Sequence, residues 1–186
     1  MRTSNRLSIP IDRLATGLAS FVLAMGFALS ALSQEAPETA SDTFEIPAEV
    51  KTIEQLFAFV EEVADHEPEG QSEQEFIAHH RKIARTVVQI ADKVLALNPS
   101  DEEAMQGYSF KLQALQMLKE LGVVDAEQAF SKTVAEARAD SRPDVAAIGV
   151  KFFIETGFDQ WATLGAEDQS ALIDAIVGYV GESGSG

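Results

Sequence analysis

Three histidines, His66, His79 and His80, are the side chains in this 186-residue sequence best suited to bind a metal or transfer a proton near neutral pH. Their spacing works against both roles. Neighbouring positions on a helix project about 100° apart, so His79 and His80 do not form the i, i+4 ligand pair of a helical zinc site. Asp65, Glu73 and Glu75 offer carboxylates nearby, but nothing in the spacing converges them. Solvated or half-buried helix positions are the expected environment of all three rings.

The other chemistry-bearing types lead to the same place. The acidic groups Glu61-Glu62, Glu67-x-Glu69 and Asp101-Glu-Glu103 fall at helix ends or on solvent faces, where acids in a first turn complement the helix dipole. The sequence has no Asp-x-Asp-x-Asp-Gly calcium loop, no Gly-x-Ser-x-Gly elbow, no serine paired with a plausible histidine base and no glycine-rich phosphate loop. It has no cysteine, which excludes disulfides, Cys-ligated zinc, iron–sulfur clusters and a thiol nucleophile. The residues therefore predict no catalytic group, no metal and no cofactor within this chain.

Charge narrows the partners. With 14 Lys and Arg against 30 Asp and Glu, the net charge is −16, the reverse of the basic footprint that binds nucleic acid or anionic lipid. Protein partners with basic surfaces are favoured, with an ionic-strength dependence.

The elements that would carry any site begin after an address. Arg2, Arg6 and Arg13 precede an apolar stretch from Leu14 to Leu32, and small-residue cleavage patterns occur at Ala28-Leu29-Ser30 and Ala31-Leu32-Ser33. Residues 1–33 thus read as a secretory signal peptide, which implies a periplasmic or extracellular location. The competing reading is an uncleaved membrane anchor, which the Gly, Ser and Thr content disfavours. Residues 1–33 hold three Arg and one Asp, so the exported part carries 11 basic and 29 acidic residues, a net of −18. Residues 34–50, with Pro37, Pro47 and five acids, read as a disordered acidic linker, and residues 181–186 as a Gly/Ser-rich tail.

Between them, residues 51–180 read as a helical domain. Apolar residues recur at three and four, and Thr52/Gln55, Ser72/Glu75, Ser100/Glu103 and Asp125/Gln128 have capping-box spacing. The pattern predicts six helices over about 51–66, 73–97, 101–121, 126–139, 143–157 and 166–180, broken at Asn98-Pro99, Gly122, Pro143 and Gly157. No useful segment alternates with period two, so the fold class is all-α, with about six antiparallel helices. The phrase Ala96-Leu-Asn-Pro-Ser-Asp-Glu-Glu-Ala104 resembles the inter-helix turn of tetratricopeptide repeats. The Trp, Gly and Tyr positions of that repeat do not recur at its period, so the likeness implies a repeat-like helical stack.

Around Gly157 lie Phe152, Phe153, Phe158 and Trp161. Phe152 continues the core face of Ile148, whereas Phe153, Phe158 and Trp161 are candidates either for core packing or for a contact surface, since exposed aromatic anchors are typical of docking hot spots.

Several phrases together resemble a family. They are Ala91-Asp-Lys-Val-Leu-Ala-Leu-Asn-Pro-Ser-Asp-Glu-Glu-Ala104, Leu112-Gln-Ala-Leu115, Ala137-Arg-Ala-Asp-Ser-Arg-Pro-Asp-Val-Ala-Ala147 and Ala171-Leu-Ile-Asp174. With the signal peptide and tether, residues 50–180 look like the N-terminal helical region of exported planctomycete-type proteins whose C-terminal half is a TlpA-like thioredoxin (redoxin) domain. In that family the chemistry is thiol–disulfide exchange at Cys-x-x-Cys. With no cysteine, none of that site carries over. The resemblance implies a non-catalytic scaffold or interaction module ending before a redox domain, its partner being that tethered domain or a client. The alternative is a free-standing exported repeat-like helical protein that binds peptides or proteins.

Overall fold

The computed structural model describes residues 42–183 apart from Glu69 and Gln71, so the expected signal peptide, the first part of the linker and the last three residues lie outside the described residues. Among the described residues every regular element is helical. The helices are α1 (Ile53–Ala64), α2 (Glu73–Ala96), α3 (Asp101–Glu120), α4 (Ala126–Arg138), α5 (Pro143–Asp159) and α6 (Ala166–Ser183), with a 3₁₀ turn at Trp161–Thr163.

Local chemistry explains most of the boundaries. Thr52, Ser72 and Ser100 each accept a hydrogen bond from the backbone amide three residues on, while the side-chain oxygens of Gln55, Glu75 and Glu103 accept one from the cap residue's own N–H. Asp125 differs from expectation. It follows a turn that leaves its own backbone helical, so its carboxylate makes no capping bond. That turn is a Schellman motif: Gly122 sits at φ +76°, Val123 N–H donates to Leu118 O (2.9 Å) and Gly122 N–H to Lys119 O (3.0 Å). The Leu121 carbonyl at the same helix end accepts from Arg81 Nη2 of α2 at 2.5 Å, a cation where the helix dipole is negative. Asn98, before Pro99, takes the left-handed conformation at φ +51° that Asn tolerates better than most residues.

Pro143 opens α5 as expected, no side chain caps the helix, and the turn before it is held by an ion pair. Asp140 accepts from the Arg142 backbone N–H (2.9 Å), from Nε (2.8 Å) and from Nη2 (2.6 Å), locking the four-residue α4–α5 connection. The Arg142 guanidinium holds the Asp140 carboxyl below its ordinary range.

Consecutive helices pack on one another, and α3 also packs on α5. Helix α3 is the most enclosed element. Ala104, Gly107, Phe110, Leu112, Ala114, Leu115 and Leu118 are all buried, spread over more than half of its circumference. Phe110 meets Phe57 of α1 edge to face at 5.7 Å, and Phe130 of α4 meets Phe152 of α5 in the same way at 6.1 Å.

Two contacts require glycine. A Cβ on Gly149 would lie 2.5 Å from the backbone nitrogen of Arg138, so α5 crosses the end of α4 with nothing between the main chains. A Cβ on Gly157 would lie 2.8 Å from both methyl carbons of Leu172, which is fully buried there. Gly157 was expected to break the helix. Instead α5 runs through it to Asp159, and its missing side chain is the socket for α6.

Gly149→Ala is expected to lower stability by about 2 kcal/mol, because backbone atoms must separate and overpacking outweighs the gain in helix propensity. Gly178→Ala, with nothing within 4 Å of its Cβ, should instead gain about 0.5–1 kcal/mol. Urea midpoints of the two variants, moving in opposite directions, check the assignment. Because Asp140 has a lowered folded pKa, its contribution is present above the unfolded value of about 4 and fades as pH falls through the lower folded one. Asp140→Asn should therefore be less stable than the parent at pH 7, with the difference shrinking below about pH 4.

Candidate functional site

The structure brings the three histidines closer than their spacing suggested. His79 Nε2 lies 2.7 Å from His66 O across the α1–α2 connection, His80 Nδ1 is 2.8 Å from Phe76 O, and His66 Nδ1 is 3.1 Å from Glu67 O. The rings of His66 and His79 are 5.5 Å apart, and those of His79 and His80 5.7 Å. Each ring thus directs one nitrogen to a backbone carbonyl, as an N–H donor must, and the rings also contact one another. Among the described residues no three His, Asp or Glu side chains are placed to hold a metal ion. The group's evident work is to join the end of α1 to the start of α2.

Phe44 completes this group. Its ring lies 4.8 Å from that of His66 and 6.0 Å from that of His79, with Lys82 Nζ 4.4 Å from its centroid. Its N–H donates to Thr86 Oγ1 at 2.8 Å, and Thr86 in turn donates to Lys82 O at 2.8 Å. An ion pair joins Asp42 to Arg85. Residues 42–46, part of the stretch expected to be linker, therefore lie along α2. A shallow depression of about 360 Å³ opens there between Thr43, Phe44, Glu45 and Ile46 and the side chains of Gln89 and Lys93. Thr86, fully buried and polar, is the residue that sequence reasoning missed; a polar side chain on the apolar face of α2 was its only signal.

The candidate contact residues divide in two. Phe153 is half-buried, with the Arg138 guanidinium stacked 3.9 Å from its ring centroid. Phe158 and Trp161 stand out from the surface, 58% and 37% exposed, at the end of α5 and in the 3₁₀ turn. Phe152, expected in the core, is there.

Helix α6 adds to this surface. Leu172, Ile173, Ile176 and Val177 recur at helical spacing, but only Leu172 is buried, and Ile173 and Val177 are 49% and 67% exposed. Leu172 is the residue seated at Gly157, whereas Ile173 and Val177, one turn apart, follow the next row of the helix and look outward. The Gln169 side-chain amide donates to Trp161 O (3.0 Å) and Leu164 O (3.3 Å), fastening the 3₁₀ turn to α6 one turn before Ile173.

Thr86→Val keeps the shape at the strap and removes the acceptor for Phe44 N–H. The Phe44 amide should then exchange with solvent at the rate of an open segment, stability should fall by about 1 kcal/mol, and amides within α3 should keep their relative protection. Unchanged protection at Phe44 would contradict the assignment. Comparison with known proteins adds no relative: no protein family, no curated protein and no solved structure matches this chain.

Proposed function

We propose that this chain is a non-catalytic helical interaction module of an exported protein, set beside a TlpA-like thioredoxin domain or its client and contacting it through the C-terminal face of Phe158, Trp161, Ile173 and Val177. The observation that carries the reading is the outward row of α6. A helix that buries Leu172 and presents Ile173 and Val177 to water has more apolar surface than its own fold uses. Consecutive packing of helices, with α3 also meeting α5, is the pattern of stacked hairpins and supports a repeat-like arrangement. Export is supported by Arg2, Arg6 and Arg13 ahead of the Leu14–Leu32 stretch. With no cysteine, the chain's own residues hold and position, and thiol exchange belongs to the partner.

A photo-crosslinking residue placed at 173 or 177, with one at the exposed Ala58 of α1 as control, tests this in the exporting cell. The expected outcome is a crosslinked protein at 173 and 177 and none at 58, with a Cys-x-x-Cys thioredoxin-fold protein among the products. Crosslinks to other proteins alone would separate the interaction reading from the redox setting. Equal yields at all three positions would remove both.

A further inference from the structure

The same face carries information about the chemistry of its partner. Glu155, Asp159, Glu167, Asp168 and Asp174 are all exposed on α5 and α6, and past Lys151 the sequence has no Lys, Arg or His. Lys151 itself lies 3.9 Å from Glu155. On α6, Glu167 and Asp174 are seven residues apart and so form one row, which runs along the flank of the Ile173–Val177 row. The surface is an apolar stripe flanked by Glu167 and Asp174, which form no salt bridge among the described residues.

We infer that this face docks a basic amphipathic helix, one with aliphatic residues at i and i+4 to cover Ile173 and Val177 and with Lys or Arg beside them to meet Glu167 and Asp174. The inference rests on the reading of the C-terminal face as the contact surface. A second copy of the chain is the wrong occupant, because it brings the same carboxylates and a net charge of −16 against an equal charge. An acidic or anionic partner fails for the same reason. A basic helix both buries the exposed aliphatic groups and neutralises the row beside them.

Trp161 is the only tryptophan in the sequence and stands at one end of the stripe, so its emission reports occupancy without a label. The full chain is titrated with a Leu/Lys amphipathic peptide of about five helical turns. A Leu/Glu peptide of the same apolar pattern and a Leu/Lys peptide of scrambled order serve as controls. The expected result is a blue shift with the first peptide, weakening about tenfold as salt rises from about 0.05 to 0.3 M. The scrambled peptide should bind about tenfold more weakly and the Leu/Glu peptide should not bind. The double variant Ile173→Ser/Val177→Ser, which leaves charge unchanged, should lose about tenfold in affinity with its helical circular dichroism intact. Glu167→Gln/Asp174→Asn should lose affinity and most of the salt dependence.

Binding indifferent to the serine pair would mean diffuse attraction to an acidic surface and would overturn the inference. Equal binding of the Leu/Glu peptide would also overturn it while leaving an apolar contact surface in place. Self-association abolished by the serine pair would assign the face to a second copy instead. No peptide binding, alongside crosslinks at 173 and 177, removes this inference alone; with no crosslinks either, the reading beneath it falls too.

Discussion

Enclosing α3 is the constraint on which the other helices depend. Its buried residues cover more than half of its circumference, so no single neighbour can cover it, and α2, α4 and α5 all pack against it. Burying a Leu or Phe side chain there contributes roughly 1.5–3 kcal/mol, far more than any surface ion pair in this chain. The chain meets the requirement with short connections, four residues between α2 and α3 and four between α4 and α5. Those turns are closed by chemistry suited to tight space: a left-handed Asn98 before Pro99, and Asp140 gripping Arg142 from three directions.

The two ends of the helical array resolve the same problem differently. Helix α1 packs on α2 and reaches α3 through Phe57 and Phe110, and the outer side of α2 is crossed by residues 42–46, pinned at Thr86. Helix α6 packs chiefly on α5, through Leu172 in the space that Gly157 leaves, and its next row finds no cover. An exposed apolar face arises here because the packing of the body leaves the outer row of α6 uncovered. No special motif is needed to create it.

That origin explains what the sequence disclosed. Helix starts were legible at Thr52, Ser72 and Ser100, since a capping box is a local arrangement that needs only residues three apart. Gly122 was legible for the same reason. Asp125 misled because capping also requires an extended backbone, and the preceding Schellman turn denies it. Gly157 misled because a glycine can serve a helix break or a close helix crossing, and only the position of Leu172 tells them apart. The approach of Phe44 to α2 and of His66 to His79 depends on chain segments 13 to 42 residues apart, which periodicity does not encode.

The outward face of α6 was half legible. Periodicity marks Leu172, Ile173, Ile176 and Val177 as one apolar arc about 140° wide, and an arc of that width usually finds a core. A helix with one principal neighbour buries only one side of such an arc, here the Leu172 side, so the other side is left to water. Whether that edge is merely tolerated or used turns on its surroundings. Several carboxylates elsewhere in the chain have partners in the fold: Glu75 and Glu103 in capping boxes, Asp92 with Lys111, Glu127 with Lys119, Asp140 with Arg142. Around the exposed stripe Glu167 and Asp174 sit in a segment that supplies no basic residue, so a cation reaching them must come from outside it. Apolar surface and carboxylates lie side by side there, Glu167 in the first turn of α6 where the helix dipole also favours it, and the proposed ligand is apolar on one side and basic at its edge.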